Sequence, residues 1–428
     1  MKCTRFDRED FALIGVIQLS RRSKLRHNFL ILMTGIIFSL VLLACAEPKT
    51  KADDDIDTIG VPFRYRALYS ELATKLNDLN KTIESQWQGK KADTRIGVEL
   101  LVANSNRGEV LLSDRVFKAT ILTLERLQDL GVHSVAVSIQ FPMLTRSFPR
   151  FDEYIDFYRR VAWEIRRRGL GFIVEMGTFF RETEFTKLKI DYSDYTLNSF
   201  KAGLREMARI IIDELRPDYL TILTEPDTMQ NNTGLDFSVT NFSATIRHVV
   251  EGLDHRGVKL GAGAGTWNPI QYFTALSEIP RLNYIDIHVY PIQQDFVLDK
   301  VPRIAKIAAK QNKGVSFGES WLYKVSIHEL GRINTVKAFA RDVYSFWQPL
   351  DSLFIEVMVK LSHHVEAEFC SFFWMKYLYG YMDYNFQTSL LRPQQLINKM
   401  DAIAGQHILD NTLSKTGEKF KTLITEGP

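Results

Sequence analysis

The sequence predicts an α/β fold of the (β/α)8 barrel class, and three observations point to it. Eight short apolar runs recur along the chain, separated by stretches whose apolar residues fall at helical spacing. The runs are nearly continuous rather than alternating, as in a parallel sheet covered by helices. Polar and aromatic residues gather just after the runs, where such a barrel opens its C-terminal rim.

Taken in order, residues 63–87 carry Leu68, Leu72, Leu76, Leu79 and Ile83 at helical spacing and form a lead-in helix. The first strand is 95–102. Ser113 caps the helix that follows, which runs to about Leu130 and is stopped by Gly131. The second strand is expected at 133–139, a helix at 154–168 and the third strand at 172–176. A helix at 197–215 precedes the fourth strand, 218–223, which leads directly to Glu225. A helix at 239–253, the fifth strand at 258–263 and a short helix at 270–276 follow. The sixth strand is 284–290, with a helix at 298–310, and the seventh is 315–319. Segments 332–346 and 352–364 are expected to be helical, the eighth strand is 369–374, and a last helix spans 393–403.

The alternative is a doubly wound open sheet, which would carry a glycine-rich phosphate turn after an early strand. The one candidate, Gly261-Ala262-Gly263-Ala264-Gly265, falls at the fifth strand and runs into Trp267-Asn268-Pro269. Small residues at a crowded barrel rim account for it better.

With 45% hydrophobic and 25% charged residues, the 428-residue chain has a folded globular composition. The net charge of +3 owes much to Arg21, Arg22, Lys24 and Arg26 near the N-terminus, so it gives no case for nucleic-acid binding. Cys3, Cys45 and Cys370 are too few and too scattered for a disulfide framework or a metal knuckle. The basic cluster is followed by an apolar core, 29–44, too short for a spanning helix and placed as in a secretory signal. Its ending, Leu42-Leu43-Ala44-Cys45, resembles the lipobox of bacterial lipoproteins. That resemblance implies a signal peptide over 1–44, lipidation of Cys45, and an exported protein anchored to a membrane. Residues 45–60, poor in apolar groups, make a flexible tether, and 61–428 make one barrel domain.

The strand ends carry the chemistry. In order they offer Glu99 and Asn104, Gln140, Glu175, Glu225, Trp267 and Asn268, His288 and Tyr290, Glu319 and Trp321, and Trp374 and Lys376. No His/Cys/Asp set has metal spacing, no Gly-x-Ser-x-Gly elbow is present, and neither a metal nor an organic cofactor is implied. Carboxylates among large aromatics suit a carbohydrate, since rings stack on sugar C–H faces while carboxylates accept hydroxyl protons. Cleaving a glycosidic bond requires two carboxyl groups, one protonated and one ionised. Glu225 and Glu319 each end an apolar run and are the natural pair.

The glutamates ending strands four and seven, the His288-Val289-Tyr290 triplet at strand six and Trp374 at strand eight resemble clan A of the glycoside hydrolases. The likeness runs through short motifs over about 95–374. It implies a retaining barrel enzyme in which Glu225 is the acid/base and Glu319 the nucleophile. Tyr290 would hydrogen-bond the nucleophile, His288 would line the cleft, and Trp374 would floor the subsite of the attacked sugar. Trp267, Trp321, Glu175 and Glu99 are further candidates for substrate contact. Glu175 has a structural alternative as a partner of Arg181. The clan usually has Asn before the acid/base glutamate, where this chain has Thr224. That departure keeps open a degenerate barrel that binds glycans or cell-wall polymer without cleaving them. No protein partner is implied.

Overall fold

The computed structural model describes residues 58–181, 186–290, 292 and 300–428. The expected signal peptide, Cys45 and nearly all of the tether lie outside them. The described chain builds a closed eight-stranded parallel barrel in the order β1-β2-β3-β4-β5-β6-β7-β8. The strands are β1 (Arg95–Glu99), β2 (Ser134–Phe141), β3 (Gly171–Thr178), β4 (Tyr219–Thr221), β5 (Lys259–Gly265), β6 (Tyr284–His288), β7 (Gly314–Ser320) and β8 (Phe369–Phe372). All eight fall on the predicted runs.

Helices fill the crossovers. They are α1 (Arg66–Trp87), α2 (Asp114–Leu130), α3 (Phe151–Arg166), α4 (Leu197–Ile210), α5 (Pro226–Thr233), α6 (Val239–Val250) and α7 (Ile270–Ser277). Beyond these come α8 (Val301–Lys310), α9 (Thr335–Phe339), α10 (Gln348–His364), α11 (Phe386–Ser389), α12 (Pro393–Asp410) and α13 (Lys415–Thr425). Local chemistry sets the ends as read from the sequence. The Ser113 side chain accepts from the amide of Val116, and Gly131 takes φ 87° to close α2. No helix among the described residues is long and apolar enough to cross a membrane.

The lead-in helix α1 runs beside α10 in the same direction. Tyr65, just before α1, packs on Tyr344, Phe346 and Trp347 ahead of α10, and Trp87 at its far end stacks on His363 in the last turn of α10. Helices of this barrel descend from the C-terminal rim, so α1 starts at that rim. At the opposite end Lys91, shortly before β1, donates to the Glu426 carbonyl at 3.0 Å.

Two expectations need correction. The helix predicted over 332–346 is only α9. After Ala340 the chain turns out to an extended Tyr344, which bridges to Met382, and tertiary pairing overrides the helical pattern. The stretch between Glu225 and the helix expected at 239, to which the sequence reading gives no element, holds α5, with Pro226 in its first turn. α13 also lay beyond the expected last helix.

The barrel interior is layered. Ile173, Tyr219, Tyr284 and Phe369 close the lower layer with Ala136, and the three aromatic rings meet edge to face at centroid distances of 5.0–5.8 Å. Two residues further along the strands the filling turns polar, with Glu99, Ser138, Glu175 and Asp286, all buried. The glycines of β5 make room for what packs on them. A Cβ at Gly261 would enter the Tyr284 ring, one at Gly263 the Asp286 carbonyl and one at Gly265 the Trp267 indole. The Gly-rich run is therefore barrel packing, and the doubly wound alternative falls away.

Candidate active site

Glu225 and Glu319 reach the same cavity by different local devices. Glu225 ends β4 in a sharp turn: its backbone sits at φ 49°, it caps α5, and its carbonyl accepts from the Met229 amide at 3.0 Å. A non-glycine residue in this left-handed region costs about 1–2 kcal/mol, which the surrounding turn must offset. Glu319 is aimed by an irregularity in β7. Phe317 pairs with Cys370 and Ser320 with Phe372, so β7 carries one residue more than β8 between these points. This is a β-bulge, which re-aims a side chain. It allows Gly318 and Glu319 both to address the interior.

Between the two glutamates stands His288. Its Nδ1 lies 2.8 Å from Glu225 Oε1 and 3.7 Å from Glu319 Oε2, and its Nε2 lies 3.5 Å from Asp286 Oδ2. One oxygen of each glutamate and one ring nitrogen all fall within 4.8 Å of one another. The Tyr290 hydroxyl donates to Glu319 Oε2 at 2.7 Å, and the Thr228 hydroxyl donates to Glu225 Oε2 at 2.7 Å. Beneath them, Asp286 Oδ1 accepts from the Ser316 hydroxyl at 2.6 Å and the Gly318 amide at 2.8 Å. Gly318 has no side chain where Glu175 and Asp286 come together; a Cβ would lie 2.5 Å from Glu175 Oε1.

These contacts decide the charges. Burial works to raise Glu225, but the hydrogen bond and charge of His288, with Thr228, hold it below the usual carboxylate range. Burial pushes Glu319 up to about 7, where the His288 charge and the Tyr290 hydrogen bond pull it down and the Glu225 charge adds to the rise. Burial disfavours charge on His288 as well, yet Glu319, Asp286 and Glu225 together lift it well above its ordinary value. Glu175 is raised well above its ordinary value by burial and by Asp286. Burial, with Glu319 nearby, sends Glu99 up to about 8. The Tyr290 phenol, raised by burial and by Glu319, stays protonated as a donor.

The cavity is about 840 Å³ and is lined by Thr224, Glu225, Glu175, His288, Tyr290, Glu319, Trp267 and Trp374, among others. The structure thus brings together eight of the ten candidates for catalysis and substrate contact. Two stand apart. Trp321 is buried and stacks on Tyr377 at 5.6 Å, away from the cavity lining, because it lies beyond the β7 bulge. Glu99 is buried below, accepting from Asn104 Nδ2 at 3.0 Å and the Ser138 hydroxyl at 2.8 Å. Glu175 sits among Asp286, His288 and Glu319, not on Arg181, which corrects its structural alternative.

Two residues escaped the sequence reading. Asp286 lies two residues before His288 on the same strand face, and that spacing could have revealed it. Asp227 holds the Trp267 indole N–H at 3.0 Å and Asn268 Nδ2 at 2.8 Å, tying the β4 and β5 loops together. It stands in α5, the helix the sequence reading missed. Two triplets have donors close enough to surround a cation, Glu175–Asp286–His288 and Glu225–His288–Glu319. Only the Asp286-x-His288 spacing within β6 is visible in the sequence, because the other members come from different strands.

No family model matches the chain, and no curated protein matches it. Solved structures do. The exo-β-1,4-mannosidase Op5Man5 from Opitutaceae bacterium strain TAV5 matches with a TM-score of 0.50 and 13% identity, over 79% of this chain and 60% of that one. XacCel5A in complex with cellopentaose matches at TM-score 0.44 and 10% identity, over 72% and 99%. A GH113 β-1,4-mannanase matches at 0.42 and 13%, over 73% and 99%. At 13% identity the likeness to the mannosidase is one of fold alone, and the barrel itself stands on this chain's own closed eight-stranded topology.

Proposed function

We propose that this protein is a retaining glycoside hydrolase acting on a polysaccharide or oligosaccharide. The observation that carries the reading is the facing pair at the ends of β4 and β7, Glu225 and Glu319, with oxygens within 4.8 Å across the cavity. A retaining mechanism needs its carboxyl groups about 5–5.5 Å apart, whereas inversion needs about 6.5–9.5 Å to admit a water. The narrow gap supports the first. Glu319, steadied by Tyr290, attacks the anomeric carbon as its carboxylate. Glu225 assists the leaving oxygen. In the free protein its proton resides on His288 Nδ1, 2.8 Å away, and transfer along that hydrogen bond yields neutral His288 and protonated Glu225. Once the glycosyl–Glu319 ester has formed, Glu225 is ionised and activates the water that hydrolyses it. Trp267 and Trp374 offer ring faces to the sugar.

The test is sugar release from aryl glycosides and from β-linked mannans, glucans and xylans. Glu319→Gln and Glu225→Gln are compared with wild type, and the anomer first formed is read by proton NMR. Retention, with losses of at least about 10²–10⁴-fold in both variants, is expected. Release of the inverted anomer, or variants as active as wild type, would refute the mechanism.

A second reading has its own observation. Glu225 is held ionised by His288, and Thr224 stands beside it where the resemblance expects Asn. A barrel with these features could bind glycans without cutting them. Retention of a polysaccharide on the immobilised protein, with no release by wild type, would favour it. We also propose that the protein acts outside the cytoplasm on a lipid anchor at Cys45. Membrane fractionation and labelled-palmitate incorporation, lost in Cys45→Ala, test that.

A further inference from the structure

Beneath the two glutamates, three buried atoms converge without hydrogen-bond partners. They are Glu175 Oε1 from β3 and Asp286 Oδ2 and His288 Nε2 from β6. Glu175 is 4% exposed, Asp286 0% and His288 2%, so bulk solvent does not serve these atoms. Asp286 and His288 stand two residues apart on one strand and point to the same face.

Their closeness is fixed from two directions. The point where a Gly318 Cβ would stand is 2.3 Å from Asp286 Oδ2 and 2.5 Å from Glu175 Oε1, so the two oxygens flank one spot. His288 Nε2 lies 3.5 Å from Asp286 Oδ2, longer than the hydrogen-bond range of about 2.7–3.2 Å. A donor atom from each of the three residues lies within 4.8 Å of the other two.

The surroundings match those of a metal centre. A ligating histidine gives its other ring N–H to a carboxylate, and His288 Nδ1 lies 2.8 Å from Glu225 Oε1. A ligating carboxylate is itself held in place. Asp286 Oδ1 accepts from the Ser316 hydroxyl at 2.6 Å and the Gly318 amide at 2.8 Å, which leaves Oδ2 turned inward. Glu175 and His288 line the cavity, which gives an ion its route in.

The upper triplet, Glu225–His288–Glu319, is less suited. His288 Nδ1 and Glu225 Oε1 already share a hydrogen bond, and the Tyr290 hydroxyl occupies Glu319 Oε2 at 2.7 Å. An ion in the lower site displaces the proton from Nε2, leaves the Nδ1 proton toward Glu225, and meets three acceptors at once. A water has two protons to give and cannot satisfy all three.

We propose that Glu175, Asp286 and His288 Nε2 form a binding site for a divalent first-row transition ion of the zinc type, tying β3 to β6 under the glutamates. One imidazole and two carboxylates suit such an ion better than calcium, which takes about six to eight oxygens. This departs from the sequence expectation of no metal, and it does not rest on the glycoside reading.

The test uses the untagged full chain, stripped with a chelator and kept at about pH 8, where protons compete least for the donors. Calorimetric titration with zinc chloride should show one ion per chain, and zinc should raise the melting temperature. Calcium chloride at the same concentration should do neither. Asp286→Asn and Glu175→Gln should each weaken zinc binding by at least about 100-fold and abolish the melting shift. Melting of the stripped variants shows whether they are folded, and either one alone suffices. Anomalous scattering at the zinc edge should place the ion within about 2.0–2.2 Å of Glu175 Oε1, Asp286 Oδ2 and His288 Nε2. No binding by wild type, folded variants that bind as wild type does, or an anomalous peak between Glu225 and Glu319 or elsewhere overturns the proposal. No step of the test requires turnover, so its outcome is independent of whether the protein cleaves a glycan.

Discussion

Replacing Gly318 by alanine probes how tightly the site is built. The new Cβ would stand 2.5 Å from Glu175 Oε1 and closer still to Asp286 Oδ2, distances that no real Cβ tolerates. Neither oxygen can simply swing away. Asp286 is held by the Ser316 hydroxyl at 2.6 Å and by the amide of Gly318 itself at 2.8 Å, and Glu175 is buried in the barrel. At least about 0.5 Å of movement must therefore be absorbed by the carboxylates or by the end of β7. Overpacking of this kind costs about 1–3 kcal/mol of stability. Glu319 is the next residue along, and misplacing a reacting group by about 1 Å costs on the order of 10² in rate, or about 2.7 kcal/mol. Urea unfolding of Gly318→Ala should show the stability loss. Turnover on any glycoside that wild type cleaves should fall about 10–100-fold with KM little changed, since the sugar-stacking rings are untouched. A variant of wild-type stability with turnover within twofold would refute the claim that Gly318 is the cradle for these two carboxylates.

Three other outcomes follow from the same contacts. Glu319 has a folded pKa of about 7 against an ordinary 4.5, so the folded state holds its proton more tightly than the unfolded state. Stability is therefore lost as pH rises from about 4.5 to 7, and Glu319→Gln should be about 2–3 kcal/mol more stable than wild type at pH 8 but equal to it at pH 4; a constant difference across that range would contradict this. Tyr290→Phe removes a donor to a charged oxygen, worth about 1.5–3 kcal/mol, so kcat/KM should drop about 10–100-fold. Its acid limb should also move to higher pH as Glu319 loses the bond that favours its ionised form, and an unshifted limb would count against the contact. Lys324 is buried with its Nζ 2.9 Å from Asp342 Oδ1 and 2.6 Å from Asp351 Oδ1. Lys324→Met strands two buried carboxylates and should cost about 3–5 kcal/mol in denaturant unfolding, where a loss below about 1 kcal/mol would sink the point.

Much of this was legible in the residues. Strand identity survives because each apolar run is filled by core on both faces, and Ser113 and Gly131 mark their helix by chemistry that acts locally. Glu225, His288, Tyr290 and Glu319 could be gathered because the barrel rule places all strand ends on one rim. What escaped depends on geometry between strands. Trp321 was misjudged because the extra residue in β7 changes which side chains face inward, and no local signal marks that bulge. Glu175 kept Arg181 as an alternative partner because the sequence does not show that β3 and β6 direct carboxylates at the same gap over Gly318. α5 was missed because its Asp, Thr and Asn residues have weak helix propensity and it is held by the tight turn at Glu225.

The course of α1 has a practical consequence. It descends beside α10 from Tyr65 at the open rim, whereas Glu426 ends near Lys91 at the closed floor. The two ends of the described chain thus leave the molecule on opposite sides. A bead, a fusion partner or a bilayer joined ahead of residue 58 stands on the same side as the entrance, so it can crowd long polymers while leaving short ones free. A support joined after residue 428 lets the entrance look outward. The choice of which end to attach is therefore a choice of how large a glycan can approach.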